Sequence, residues 1–89
     1  MAWNVELAPA ALKEINKLDP QTGLHIRKFL VRLTKIENPR SLGEALQGSR
    51  LGEFWKYRVG DYRLICSIED NRLVVLVLRV GNRKEIYQR

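Results

Sequence analysis

Residues 54–69 read FWKYRVGDYRLICSIE, and this stretch predicts the β-hairpin around which the fold is built. Residues 54–59 alternate between the two faces of a half-buried strand. Gly60-Asp61 forms a two-residue hairpin turn, and residues 62–69 return as the second strand. Because the turn has two residues, it also fixes which residues of the two strands lie opposite each other.

This register brings positive side chains together on one face of the sheet. Arg58 falls directly opposite Arg63, and Lys56 shares their face because side chains alternate along a strand. Like charges directly opposite each other destabilise a sheet by roughly 0.2–1 kcal/mol. The next hairpin, by contrast, is expected to pair Glu69 with Arg72. We interpret the basic residues as a candidate anion site, with two arginines splayed into solvent as the alternative.

The remaining strands complete a sheet around this hairpin. A turn at Asp70-Asn71 leads into a strand over residues 72–80, which ends at Gly81-Asn82. The apolar run at residues 73–78 predicts a central strand that is covered on both faces. Residues 3–7 alternate in the same manner and predict an initial strand.

Two amphipathic helices are predicted between the initial strand and the hairpin. Pro9 suits the first turn of the first helix, and Asp19-Pro20 starts the second with an N-cap carboxylate before proline. The predicted core faces are Ala11, Leu12, Ile15 and Leu18 on the first helix, and Ile26, Phe29, Leu30, Leu33 and Ile36 on the second. The short link makes them an antiparallel helical hairpin. Asn38-Pro39 ends the second helix, and residues 38–53 form a loop with room for one helical turn.

The element order is therefore β-α-α-β-β-β, which predicts an α+β fold. The expected architecture is an antiparallel three-strand meander plus the N-terminal strand, with the helical hairpin packed on one face. The chain has 89 residues, so residues 1–89 are predicted to form a single domain.

Composition narrows the function classes. Sixteen Lys and Arg oppose ten Asp and Glu, and the net charge of +6 suggests a polyanionic partner, nucleic acid first, with a merely basic soluble domain as an equal alternative. Cys66 and His25 are the only residues of their types, which argues against disulfides, multi-His metal sites and paired-histidine catalysis. We expect no signal peptide and no membrane span, and hence a reducing cytoplasm. Four bases line the outer side of the second helix: Arg27, Lys28, Arg32 and Lys35.

The C-terminal tail follows the central strand of the same sheet. It is therefore expected to deliver Arg83 and Tyr87 to the edge of the basic face. Cations that hold phosphate beside an aromatic ring that stacks on a base are typical of RNA recognition. The alternative for Tyr87 is a terminal ring that packs on the sheet.

Three segments carry a family resemblance that covers nearly the whole chain. They are WKYR (55–58), DYRL (61–64) and VGNRKEIY (80–87), of which the last is the most specific. With them, the sequence resembles the RelE/ParE toxin superfamily, and within it the RelE-like mRNA interferases. The resemblance implies a RelE-like fold and a ribosome-dependent endoribonuclease that inhibits translation by cleaving mRNA in the A site.

The resemblance also implies which residues carry the activity. The family's basic strand positions fall on Lys56 and Arg58, the arginine after the tyrosine on Arg63, and the tail pair on Arg83 and Tyr87. The same five residues are expected to bind RNA, together with Lys84. The expected reaction is attack of the ribose 2′-OH on phosphorus, giving a 2′,3′-cyclic phosphate and a 5′-OH without metal or cofactor.

The choice of general base stays open between Lys56 and Tyr87, and Arg83 is expected to assist the leaving oxygen. An arginine at position 58 cannot normally lose a proton, although the best-known relative has lysine there. The implied partners are a RelB-like antitoxin, the 70S ribosome with mRNA, and ribosomal RNA through the basic helix face. Operator DNA is contacted only through the antitoxin. The rival functions are a ParE-like DNA gyrase inhibitor without RNase activity and a non-catalytic RNA-binding member.

Overall fold

The computed structural model describes residues 3–46 and 54–82. The elements in chain order are β1 (Asn4–Leu7), α1 (Pro9–Asn16), α2 (Pro20–Leu33), a 3-10 helix (Pro39–Leu42), β2 (Glu44–Ala45), β3 (Phe54–Val59), β4 (Tyr62–Glu69) and β5 (Val74–Asn82). The strands form one five-stranded sheet in the order β1-β5-β4-β3-β2. The predicted α+β fold and its β3-β4-β5 meander are confirmed, and β1 pairs with β5 in parallel.

One face of the sheet forms the core with the helices. Tyr57 lies opposite Leu64, and Leu64 lies opposite Val80, so the three side chains share a face. The same face carries Cys66 opposite Val77. The helices cover it with Ala11, Ile15, Ile26, Leu30 and Leu33. All of these residues are buried, as the alternating pattern of the strands predicts.

The helix starts follow their sequence signals more closely than the helix ends do. Asp19 caps α2 by accepting a hydrogen bond from the Thr22 backbone N–H at 3.1 Å. The helix ends at Leu33 rather than at Asn38-Pro39, and Ile36 packs on the core from the segment after it. The prediction of Leu12 as a core residue was wrong, because its side chain is 44% exposed. None of the helices in the described ranges has the length and apolarity to cross a membrane.

The strand β5 departs from its predicted start. It begins at Val74, which pairs with Glu69, and residues 70–73 form the connecting turn. Arg72 therefore does not lie opposite Glu69 in the ladder, although its guanidinium still donates to the Glu69 carboxylate at 2.6 Å from within the turn. Leu73, the last residue of this turn, adopts a left-handed conformation with φ at 53°, which is uncommon for a residue other than glycine.

The position of β5 agrees with its apolar sequence in part. It is an interior strand between β1 and β4, and Val75 and Val77 are fully buried. Leu76 and Leu78 on this strand are only half-buried, so it is not fully covered on both sides. The middle position of the sheet belongs to β4.

The pairing of β5 with β1 ends at Val77, and beyond this point the Glu14 carboxylate bonds to the same edge of β5. It accepts hydrogen bonds from the Val80 backbone N–H at 2.7 Å and from Arg79 at 2.8 Å. Desolvation by burial works to raise the pKa of Glu14, but the bonds from Arg79 and Val80 outweigh it and leave the pKa below its ordinary value. The Glu14 side chain on α1 therefore satisfies the Val80 backbone N–H, which would otherwise need a further residue of β1 as its hydrogen-bond partner.

Glu14→Ala is expected to lower the free energy of unfolding by about 1–3 kcal/mol at neutral pH, because the Val80 N–H loses its partner. The folded-state pKa of Glu14 is depressed, so its contribution is complete above the ordinary value of 4.5 and is lost as pH falls through the folded value. Urea unfolding at neutral pH and near pH 3 should show the difference shrinking in acid. Glu37→Ala, at an exposed side chain, is the control. A loss that is equal at both pH values would contradict this role.

Candidate functional site

The basic residues of the hairpin lie on the face of the sheet opposite the core. Arg58 pairs directly with Arg63, which confirms the predicted register. Lys56 lies two residues before Arg58 on the same strand and so shares its face. The turn holds this register because Gly60 takes φ at 60°, a conformation that glycine adopts without strain.

The three basic residues line a groove of about 370 Å³. The opposite wall is the segment from the 3-10 helix into β2, with Ser41, Leu42, Gly43 and Glu44. Arg58 is exposed and Lys56 is half-buried, whereas Arg63 is only 8% exposed. Arginine is rarely buried to this extent unless it is paired, so Arg63 is built into the floor of the groove rather than extended from it.

Gly43 sets how closely the wall approaches the hairpin. A Cβ atom at this position would collide with the Lys56 carbonyl oxygen and would lie within 2.9 Å of the Trp55 Cδ1 atom. Only glycine therefore lets β2 pair with β3, an arrangement that places Glu44 opposite Lys56. The glycine is needed here for close approach and not for an unusual backbone angle.

Polar contacts fix the start of the wall. The buried Tyr57 hydroxyl donates to the Pro39 carbonyl at 2.7 Å, and burial raises the pKa of Tyr57 so that it stays a neutral donor. Arg40 donates two hydrogen bonds of 2.9 Å to the Asp70 carboxylate in the β4–β5 turn, and these lower the pKa of Asp70. The Arg40 guanidinium also lies 5.8 Å from the centre of the Trp55 ring. The wall is thus tied to β3 and to the turn that follows β4.

Three of the predicted site residues lie outside the described residues. They are Arg83, Lys84 and Tyr87, and their assignment stays a prediction. Within the described part, the hairpin brings Lys56, Arg58 and Arg63 together as the sequence predicts.

The other residues considered from the sequence have plain structural roles. Cys66 is fully buried in the core, and its burial raises the pKa of the thiol. Trp3 is buried and donates from its indole N–H to the Glu37 carbonyl at 3.1 Å, and Trp55 packs against the core from the edge of the groove. His25 is exposed on α2. The four bases predicted to line the second helix are exposed too, with Arg27, Lys28 and Arg32 on α2 and Lys35 in the segment after it.

Glu44 is the groove residue that sequence reasoning missed. Its strand has two residues, which is too short for any alternation to be visible. The signal available in the sequence was a glycine followed by a carboxylate within a loop, and that pattern alone points to no chemistry. Separately, among residues 3–46 and 54–82, no three His, Cys, Asp or Glu residues come together as the ligands of a metal ion would.

Comparison with known proteins relates this fold and groove to a family. A family model described as the ParE toxin of type II toxin–antitoxin systems matches residues 5–87. The chain is 32% identical to toxin RelG of Mycobacterium tuberculosis over the full length of both. It is 34% identical to the mRNA interferase toxin RelE of Escherichia coli, covering 98% of this chain and 92% of that one. In the crystal structure of the toxin–antitoxin complex RelBE2 from M. tuberculosis, one chain matches with a TM-score of 0.81 and 27% identity, over 93% of this chain and 100% of that one.

The α+β fold that carries this basic groove matches a chain of a toxin–antitoxin complex, which points to the toxin class of proteins. The chain belongs to the ParE toxin family of type II toxin–antitoxin systems, and its relatives make it a RelE-like toxin.

Gly43→Ala is expected to separate β2 from β3, because the added Cβ meets backbone and not a flexible side-chain end. Hydrogen exchange should show reduced protection of the Leu46 amide, which bonds to the Phe54 carbonyl at 3.0 Å. Gly23→Ala is the matched control, since its Cβ meets nothing within 4 Å and it lies inside α2. That variant should gain roughly 0.5–1 kcal/mol of stability. Unchanged exchange at Leu46 in Gly43→Ala would refute the close-approach requirement.

Proposed function

We propose that this toxin is a ribosome-dependent mRNA interferase that cleaves mRNA in the A site. The observation that carries the proposal is the pairing of Arg58 with Arg63 beside Lys56 in one groove. Three cations on a single sheet face form a surface for a polyanion. The E. coli relative at 34% identity is itself named an mRNA interferase, which supports the same activity here.

The arginine pair suits a phosphate that gains charge during reaction. Attack of the 2′-OH on phosphorus builds negative charge on the non-bridging oxygens, and planar guanidinium forks bind such oxygens with charge-assisted hydrogen bonds. Arg58 is exposed and able to meet substrate, while Arg63 is held in the floor of the groove. The anion then offsets the repulsion between two directly opposed cations.

The remaining roles fall to residues with a proton to exchange. Lys56 and Tyr87 are the two candidate bases, and Tyr87 is alternatively a stacking platform for an RNA base. Arg83 would stabilise or protonate the leaving 5′-oxygen. The products are a 2′,3′-cyclic phosphate and a 5′-OH, and no step of this transesterification requires a metal or cofactor.

The ribosome supplies the rest of the substrate site in this proposal. A domain of 89 residues has little surface with which to hold a codon and its flanking nucleotides. The exposed bases of α2 offer a second positive surface that would contact ribosomal RNA. Action on translating ribosomes implies a cytoplasmic location.

A RelB-like antitoxin is the proposed protein partner. The M. tuberculosis structure that matches this fold at a TM-score of 0.81 is a toxin–antitoxin complex, which supports such a partner. An acidic chain that folds on binding would complement the net charge of +6 and would block the groove or displace RNA from it. Operator DNA would be contacted only through this antitoxin.

Two rival functions share the fold. A ParE-like inhibitor of DNA gyrase cleaves no RNA, and the matching family model carries the ParE description. A non-catalytic RNA-binding member would keep the cations without the reaction. The name and identity of the E. coli relative favour the interferase over both.

Arg58→Ala and Arg63→Ala are each expected to reduce mRNA cleavage by about 10²–10³-fold, the usual cost of removing a donor to a developing oxyanion. Arg83→Ala and Tyr87→Phe should also abolish efficient cleavage. Primer extension on mRNA in a translating extract should show codon-phased cuts for the parent protein. Arg72→Ala, in the β4–β5 turn, is the matched arginine control and should cleave normally.

The same assay separates the rivals. Intact mRNA together with gyrase-dependent DNA breaks would replace the proposal with the ParE-like function. Ribosome binding with intact mRNA and intact DNA would leave the non-catalytic function. Full cleavage by an Arg58→Ala/Arg63→Ala double variant would remove the groove from the active site.

Lys28→Gln/Arg32→Gln is expected to weaken ribosome binding and to flatten its salt dependence. The slope of log K against log salt should become shallower by roughly 0.7–0.9 for every phosphate that the variant no longer neutralises. Both side chains are exposed on α2. Lys13→Gln/Lys17→Gln, at exposed residues of α1 and of its C-cap, changes the net charge equally and is the control. Equal slopes for the two double variants would show that α2 makes no specific contact with ribosomal RNA.

A further inference from the structure

Arg40 and Asp70 form a polar link between the wall of the groove and the β4–β5 turn. The Arg40 Nη1 and Nη2 atoms each donate a hydrogen bond of 2.9 Å, one to each oxygen of the Asp70 carboxylate. The two residues are 30 positions apart in the chain. A guanidinium fork that meets both carboxylate oxygens fixes the orientation of the two groups as well as their distance. The pair therefore holds two distant segments in one relative arrangement.

Arg40 makes further contacts with the wall and with β3. Its backbone N–H donates to the Asn38 side-chain oxygen at 3.0 Å, and its carbonyl accepts from the Gly43 N–H at 3.4 Å. Its guanidinium lies 5.8 Å from the centre of the Trp55 ring on β3. Arg40 is thus joined both to the glycine at which the wall approaches the hairpin and to the strand that it approaches.

The ion pair lies outside the groove. The groove is lined by wall residues 41–44 and by the hairpin cations, which are Lys56, Arg58 and Arg63. Neither Arg40 nor Asp70 belongs to this lining, and their side chains are 39% and 61% exposed. Exposed ion pairs contribute little to the stability of a fold, because water and salt screen them. An effect of this pair on the groove would therefore come from where it places the wall.

The placement of the wall sets the space between it and the hairpin cations. Residues 41–44 follow Arg40 directly in the chain. A misplacement of about 1 Å, even from a change far from the chemistry, can slow a reaction by about 10²-fold. The bond from the Tyr57 hydroxyl to the Pro39 carbonyl does not involve the ion pair. Loss of the pair is therefore expected to shift the wall and not to detach it.

We propose that Arg40 and Asp70 are positioning residues, whose ion pair sets the distance between the wall and the hairpin cations. The pair acts through the wall and contacts neither RNA nor the reacting atoms. The inference rests on the proposed interferase function, because the groove is the site in which the phosphate would react.

A competing role is direct contact of Arg40 with an RNA phosphate. Asp70 would then weaken the contact, since its carboxylate occupies the guanidinium fork. Removing the Asp70 charge would free the fork and tighten ribosome binding. Under the positioning role, the same change slows cleavage and leaves binding nearly unchanged. The two roles thus predict different outcomes for a change at Asp70.

Single-turnover cleavage on programmed ribosomes, at saturating toxin, tests the proposal. Arg40→Ala and Asp70→Asn should each slow cleavage by roughly 10–10²-fold, while ribosome binding stays within a few-fold. The double variant should be no slower than the slower single one, because all three lack the same interaction. Arg40→Lys should also be slow, since one ammonium group cannot replace the fork.

Arg72→Ala is the matched control. Arg72 lies in the same turn as Asp70, and its guanidinium pairs with Glu69 and Glu6 instead of with the wall. This variant should cleave at the parent rate. Its urea midpoint should equal those of Arg40→Ala and Asp70→Asn, since each variant loses an exposed ion pair.

Several outcomes would overturn the assignment. Parent-like cleavage by Arg40→Ala or by Asp70→Asn would do so, and tighter ribosome binding by Asp70→Asn would favour direct contact with RNA. Losses that multiply in the double variant would show independent roles. Slow cleavage by Arg72→Ala, or a lower urea midpoint in the Arg40 and Asp70 variants alone, would reduce the effect to general stability. Intact mRNA with the parent protein would instead remove the proposed function, and this inference with it.

Discussion

The register of the β3–β4 hairpin determines both faces of the sheet. The two-residue turn at Gly60-Asp61 pairs Tyr57 with Leu64 on the core face and Arg58 with Arg63 on the open face. A slip of one residue would exchange the faces, burying arginines under the helices and exposing the core. The apolar face fixes this register, so hydrophobic burial on the core side of the hairpin places the two arginines opposite each other.

The wall of the groove also depends on β3, through the Tyr57 hydroxyl and the Lys56 carbonyl. The Tyr57 ring packs in the core, yet its hydroxyl bonds to the Pro39 carbonyl at the start of the wall. Gly43 then brings the chain against the Lys56 carbonyl, and Arg40 anchors the segment to Asp70. A change in the packing around Tyr57 is therefore expected to move the wall of the groove even when every basic residue is kept. The shape of the site thus depends on the packing of the core.

The sequence predicts those features that are set by local or paired patterns. Alternation and a two-residue turn were sufficient to pair Arg58 with Arg63, and the Asp19 cap was visible as Asp-Pro. The features that escaped prediction depend on distant parts of the chain. Glu14 bonds to a strand residue 66 positions away. Glu44 reaches the site through a two-residue strand that has no periodicity, and the turn before β5 has four residues instead of two and ends on Leu73 in a left-handed conformation.

The distribution of charge explains how so small a domain holds a positively charged groove and still folds. The cations of the groove are placed on strand backbone that hydrogen bonds and core packing already order, so little additional entropy is lost when an anion binds. One carboxylate among them limits the repulsion and faces the same space. The direct opposition of Arg58 and Arg63 works against stability, and an anion placed between them would offset that repulsion. A site built in this way would bind a phosphate most strongly when that phosphate carries the greatest charge, which is the condition for stabilising a transition state.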